Sequence, residues 1–364
     1  GEATHREPLE VLCQALDHEA DLTTFGRMAT RGQLVTALSR RLELVAHAAA
    51  HPEVREEKIE RPWIILGLPR TGTTLLSFLL GLDPLARPLR SWEAGTPVPP
   101  PELATQAEDP RIAANTKQVE GLMKMNPAIR AMHPMSASLP TECVVLFFFD
   151  LRSLSIETQA LIPSYGRWLE KTDMRSAYRM HRLALQTLQS RIPTQHWSLK
   201  TPHHLWCLDV LREEYPDARL IWTHRDPAKV VPSVISLNTA MQRPFCRNTS
   251  PHAVAEEWNH KLQGGVERGM RFDDQTDDPS WCHHLHYAAL MKDPLGSVER
   301  LYQHFGDEVT PLHRRRMEVW MRDRPQETFG RHVYDPADCG LDADGLRERY
   351  ADYIRRYVSP SASS

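Results

Sequence analysis

The stretch Pro62-Trp63-Ile64-Ile65-Leu66-Gly67-Leu68-Pro69-Arg70-Thr71-Gly72-Thr73-Thr74-Leu75-Leu76 reads as a buried strand, a tight turn and the start of a helix. Trp63 to Gly67 is a short apolar run of the kind that fills a parallel strand covered on both faces. Gly67 and Gly72 bracket a turn where the backbone can take positive φ and approach a ligand closely. Thr73 and Thr74 can then open a helix through Leu75, Leu76, Leu79 and Leu80. Amide N–H groups and the helix dipole at such a turn face an anion, so the stretch predicts a phosphate cradle, although glycine-rich strand-to-helix turns also occur without ligands.

Four residues separate Gly67 from Gly72, as in a Walker A loop, but Thr73 stands where that motif carries its lysine. In nucleoside-triphosphate enzymes the lysine reaches the terminal phosphates and the following hydroxyl holds Mg²⁺. Here the cation lies inside the turn, at Arg70. Its planar fork of donors suits a tetrahedral oxyanion without a metal.

The 364 residues, 41% apolar and 25% charged, have the composition of a soluble globular protein, and a formal net charge of -3 argues against a nucleic-acid binder. No apolar run approaches the roughly 18 residues of a membrane span, and the N-terminus has no signal-peptide hydrophobic region. Cys13, Cys143, Cys207, Cys246, Cys282 and Cys339 are scattered without a CxxC pair, which favours reduced thiols and a cytoplasmic setting.

Leucine spacings of three and four predict helices between Glu7 and His51, so residues 1–60 are expected to form an N-terminal helical segment packed on a larger unit of residues 61–364. Residues 89–180 are expected to supply an acceptor pocket and 240–280 a helical insertion or lid. The segment Leu89 to Pro101 should cross the surface near the turn, placing Glu93 as a candidate base. Met123, Met125, Met132 and Met135, with His133, can line an adaptable apolar pocket or simply fill core gaps. Glu142, just before the apolar run Val144 to Phe149, is a second candidate base. Gln195 to Lys200 reads as another strand, with Lys200 at its carboxyl end and His203 in the turn beyond, where open parallel sheets bind ligands. Ala218 to Thr223 gives a third strand; Arg225 in the following turn and Ser233 two helical turns later can serve a second phosphate. His283, His284 and His286 alternate along a strand candidate, which does not assemble a tetrahedral metal site.

Taken in order, Leu68 to Thr74, Leu199-Lys200-Thr201-Pro202, and Arg225-Asp226-Pro227 with Ser233 are similar to the three donor-binding motifs of the PAPS-dependent sulfotransferases, in their bacterial, tyrosylprotein-sulfotransferase-like branch. The resemblance runs from about Arg61 to Tyr334. It implies an α/β fold with a central parallel sheet flanked by helices, related to nucleotide kinases, and sulfuryl transfer from PAPS to a hydroxyl, or less readily an amine, of an apolar small-molecule or lipid acceptor. By that likeness Pro69, Arg70, Thr71, Gly72, Thr73 and Thr74 hold the 5′-phosphosulfate, and Arg225 and Ser233 the 3′-phosphate. Tyr287 stands in a partly kept family segment, and Arg331 and His332 are a weak match to the family's adenine-side loop. Arg70, Glu93, Lys200 and His203 are the expected catalytic set, with His133 and Glu142 as further candidates for the base and no metal required. A P-loop small-molecule kinase and a non-catalytic nucleotide-binding scaffold are the alternative readings.

Overall fold

A computed structural model describes residues 3–127, 135–278, 280–323 and 339–359. Its centre is a parallel five-stranded sheet in the order β2-β3-β1-β4-β5, with β1 Trp63–Gly67, β2 Ala86–Pro88, β3 His196–Lys200, β4 Arg219–His224 and β5 Cys282–His286. All five residues of β1 are buried, as the apolar run requires of a strand covered on both faces. The chain leaves β1 toward β2 and β3 and returns to β4 on the other side. The carboxyl ends of β1, β3 and β4 therefore converge where the strand order reverses, the place at which such sheets bind ligands.

β2 has no apolar run to reveal it. It is a three-residue edge strand containing Pro88, tolerable because an edge leaves one side of the ladder unpaired. Its Arg87 is buried by compensation: the guanidinium lies 4.7 Å from the Trp197 ring centroid, donates to the Leu188 carbonyl at 2.8 Å and pairs with Glu93 at 2.6 Å.

Helices α1 (Arg6–His18) and α2 (Thr24–Ala50) pack on the sheet domain around Asp150, which is fully buried. Its carboxylate accepts from Arg41 at 2.5 Å, Arg152 at 2.7 Å and the hydroxyls of Thr4 and Ser176. The helix Pro251–Gln275, expected as part of an insertion or lid, is a core element: Val254, Leu262 and Val266 face inward and are buried. The segment after Leu89, expected at the surface, likewise folds inward as α4 (Ser91–Gly95) with Trp92, Glu93 and Ala94 buried. No helix of the described residues is long and apolar enough to cross a membrane.

At Gly67 the strand leaves the sheet with φ +124°, and a Cβ there would sit 2.6 Å from the Thr223 carbonyl oxygen of β4. Gly67→Ala is expected to lower stability by about 1–3 kcal/mol through backbone strain alone. Gly121→Ala, with open space around it in an exposed helix, should be neutral or stabilising. Urea unfolding midpoints of the two variants check this contrast.

Candidate active site

Three turns at the carboxyl edge of the sheet build the site. The first runs from Leu68 to Gly72 and is closed by the Thr71 hydroxyl, 2.6 Å from both the Leu68 carbonyl and the Thr223 hydroxyl. Arg70 adopts φ +66° and Gly72 φ +89°. A non-glycine residue in the left-handed region signals stored strain that the surroundings enforce. The turn delivers Thr73 to the start of α3 (Thr73–Leu80), whose leading amide groups have no partners within the helix.

The third turn locks onto the first. Arg225 donates to the Arg70 carbonyl at 2.7 Å while its guanidinium lies 4.1 Å from the centroid of the Tyr287 ring. Arg70 Nε donates to the hydroxyl of Ser233, on the helix Pro227–Gln242, at 3.1 Å. Arg70, Arg225, Ser233 and Tyr287, taken separately from distant parts of the chain, are thus one cluster. Asp226 caps that helix by accepting from the Ala228 amide, which fixes where Ser233 points.

Lys200 ends β3, next to β1 on the side away from β4, with Ile65 of β1 as its register partner. The Cys143 amide donates to the Lys200 carbonyl at 2.9 Å, which brings Glu142 alongside: Lys200 Nζ and the Glu142 carboxylate are 2.9 Å apart. The lysine is nearly fully buried, whereas the carboxylate side chain keeps 25% exposure.

A cavity of about 540 Å³ opens over the three turns. Arg70, Gly72, Thr73, Thr74, Arg225 and Tyr287 line it together with Glu142, Thr201 and His203. Most of the rest of its wall is apolar, from Val144, Val145 and Leu154 to Leu237, Met241 and Trp258, with Thr141, Ser155, Thr158 and Asn238 set among them. Met135 also lines it, but Met123 and Met125 lie on the helix Pro110–Met125, away from the cavity, and Met132 falls outside the described residues. His133, Arg331 and His332 fall outside the described residues too.

Glu93 does not line this cavity. Its carboxylate is fully buried, bound to Arg87 at 2.6 Å and accepting from the Arg90 amide at 3.4 Å. It offsets the charge of Arg87 in β2. Glu142, the alternative, is the carboxylate that meets the cavity. His203 lines the cavity as well, buried with Nδ1 lacking a hydrogen-bond partner and the ring edge-on to Phe147. Burial, reinforced by Lys261 and Arg268, lowers its pKa to about 3. The imidazole is therefore neutral throughout the physiological range.

The three strand histidines do not act together. His284 and His286 face His224, with His284 Nδ1 2.9 Å from His224 Nε2, while His283 turns to the opposite face, against His304. Among the described residues no group of three or more histidines, cysteines or carboxylates is set to hold a metal ion.

The sequence pattern of the sulfotransferase family matches residues 62–311, which span the three turns and the sheet. The chain belongs to the sulfotransferase family. Over nearly its whole length it is similar to two solved mycobacterial members. The sulfotransferase STF1 of Mycobacterium tuberculosis is 32% identical with a TM-score of 0.87, covering 97% of this chain and 93% of its own. STF9 of Mycobacterium avium is 30% identical with a TM-score of 0.89, covering 100% and 94%. A curated relative, the omega-hydroxy-beta-dihydromenaquinone-9 sulfotransferase Stf3 of Mycobacterium bovis, is 32% identical over 108 residues. That match takes in 30% of this sulfotransferase and only 28% of the relative's length.

Under the cavity His203, His204 and His181 are all buried, and burial lowers the pKa of His181 as well to about 3. In the unfolded chain such imidazoles titrate near 6.5. Between these values the unfolded state binds more protons, so stability is complete above about pH 6.5 and is lost as the pH falls toward 3, on the order of 1 kcal/mol per pH unit for each group. Urea unfolding between pH 7 and 5, a window above most carboxylate titrations, should show this slope and a shallower one in His203→Gln.

Proposed function

We propose that this sulfotransferase moves a sulfuryl group from PAPS to a hydroxyl of an apolar, lipid-like acceptor by in-line displacement. The observation that carries the reading is a single cavity lined both by an anion cradle and by an apolar chamber, with Glu142 beside Lys200 where the two meet. The fit to a donor with two anionic ends rests on two features. The Arg70 turn and the start of α3, with Thr73 and Thr74, suit the 5′-phosphosulfate. Arg225, packed on Tyr287, and the Ser233 hydroxyl suit the 3′-phosphate. For Arg331 and His332 the adenine-side role rests on the family resemblance alone.

In the proposed step the acceptor oxygen attacks sulfur as the bond from sulfur to the bridging phosphate oxygen breaks. The leaving adenosine 3′,5′-bisphosphate keeps the electron pair, and Glu142 takes the acceptor proton. Lys200 and Arg70 supply positive charge to the transferring and departing oxygens, the main requirement of such a loose displacement. We assign the base to Glu142 over His203 because burial opposes the imidazolium that a histidine base would become. Apolar lining supports an apolar acceptor, and so does the name of Stf3, which assigns that protein a hydroxylated menaquinone. Six scattered cysteines without a CxxC pair support a reducing, cytoplasmic setting. Thr73 in place of the Walker lysine weighs against a kinase.

Calorimetry should give tighter binding of adenosine 3′,5′-bisphosphate than of AMP, by roughly ten- to a hundred-fold for each charge-assisted bond of about 1.5–3 kcal/mol. Arg225→Ala should erase the difference; equal affinities in the unmodified chain would overturn the donor assignment. Transfer from labelled PAPS to long-chain alcohols and hydroxylated quinols should survive EDTA. Binding of the bisphosphate with no turnover on any acceptor would instead favour a scaffold.

Glu142→Gln is expected to lower kcat by about 10²–10⁴-fold with bisphosphate affinity within a few-fold of the unmodified chain. Glu93→Gln should act on stability, by about 3–5 kcal/mol, because it strands the buried Arg87 charge. A kcat loss in Glu93→Gln at full stability, with Glu142→Gln unaffected, would return the base to Glu93. Both a carboxylate and a histidine of pKa about 3 predict a flat kcat/KM profile from pH 6 to 8.

A further inference from the structure

Helix α2 is apolar on two opposite faces. Leu34, Ala37 and Leu44 are buried against the domain, as an amphipathic helix requires. On the other face Phe25, Met28, Val35 and Leu42 stand 44%, 71%, 55% and 67% exposed. The large side chains Met28, Val35 and Leu42 recur every seven residues, and Ala49 continues the series. Between them Gly32, Ser39 and Ala46 recur at the same interval, all small and all exposed, and a Cβ added at Gly32 meets nothing within 4 Å. Charges stay off the middle of the stripe: Arg31 lies on one border, and Glu43, paired with Arg40, on the other.

We infer that this face pairs with the same face of a second copy of the chain, as an antiparallel two-helix seam about a two-fold axis. A seven-residue repeat is the signature of one helix lying along another, because it keeps the seam on the partner turn after turn. A membrane surface imposes no such repeat. Antiparallel pairing sets each position of one series against the other series in the copy. Phe25 then meets Ala49, Met28 meets Ala46, Leu42 meets Gly32 and Val35 meets Ser39, so every layer joins a large side chain to a small one. A parallel pair would stack like on like, Gly32 on Gly32 and Leu42 on Leu42, alternating gaps with bulges that close packing rejects.

The stripe is about 36 Å long at 1.5 Å per residue, and a helix is about 10 Å wide, so the seam covers roughly 700 Å² over both partners, below the size of stable specific interfaces. The pairing is accordingly a reversible, concentration-dependent dimerisation.

Sedimentation velocity of the full chain over micromolar to near-millimolar concentrations tests it, and a monomer–dimer equilibrium is expected. Leu42→Glu, which faces Gly32 with a charge, should weaken the dimer about tenfold or more at unchanged Tm. Ser39→Leu should weaken it by crowding Val35, and adding Val35→Ala should restore it. In a Cys13→Ser background, an equimolar mixture of Val35→Cys and Ser39→Cys chains should cross-link to each other in preference to themselves. A chain that stays monomeric throughout, a dimer indifferent to Leu42→Glu, or cross-links confined to like chains would overturn the inference. So would flotation of a monomer with phosphatidylcholine–phosphatidylglycerol vesicles that Leu42→Glu abolishes, since the face would then belong to a membrane.

Discussion

The close approach of β1 to β4 at Gly67 and Thr223 is the constraint on which the site depends. A strand that carried a side chain at Gly67 could not turn there against the Thr223 backbone. The same Thr223 holds the Thr71 hydroxyl, and that bond shapes the turn that throws Arg70 into the left-handed region and presents the start of α3. Arg225 immediately follows β4 and grips the Arg70 carbonyl, so one contact between neighbouring strands positions both cationic turns. The strain at Arg70 is held by a serine, a threonine and an arginine drawn from three separate elements, and it survives because they agree.

The sheet was legible where its strands are apolar. Trp63–Gly67 and the middle of Arg219–His224 announce themselves because a parallel strand covered on both faces must read as an apolar run. β2 escaped because its buried charge is cancelled by a residue from the next helix, and nothing local in Ala86-Arg87-Pro88 tells of Glu93. The same pair explains why Glu93 turns away from the cavity. Sequence puts Glu93 at the right distance along the chain but cannot give its direction, and the direction is toward Arg87. Glu142 was legible only as an acidic residue at the margin of an apolar run. What distinguishes it is the bond from the Cys143 amide to the end of β3, a long-range contact with no sequence signature. Histidine acidity was illegible for a related reason: His203 reads as an ordinary imidazole until its burial is known.

Charge is distributed unevenly around the cavity, with Arg70 and Arg225 on the cradle side and Glu142 on the wall, backed by the buried Lys200. The Glu142 carboxylate and the Lys200 ammonium are 2.9 Å apart, a charge-assisted pair. The burial of Lys200, against the partial exposure of Glu142, makes the carboxylate the more adjustable of the two.

The helix Pro227–Gln242 spans both halves of the cavity. Ser233 at its first turns belongs to the cationic cluster, while Leu237 and Met241 further along the same face belong to the apolar wall. From Ser233 to Met241 a straight helix advances about 12 Å. That helix is a graduated rod, fixed at its zero mark by the Asp226 cap, and the wall residues are its divisions. Changing the residue at one division would alter how far an acceptor can extend, while leaving the zero mark where it is.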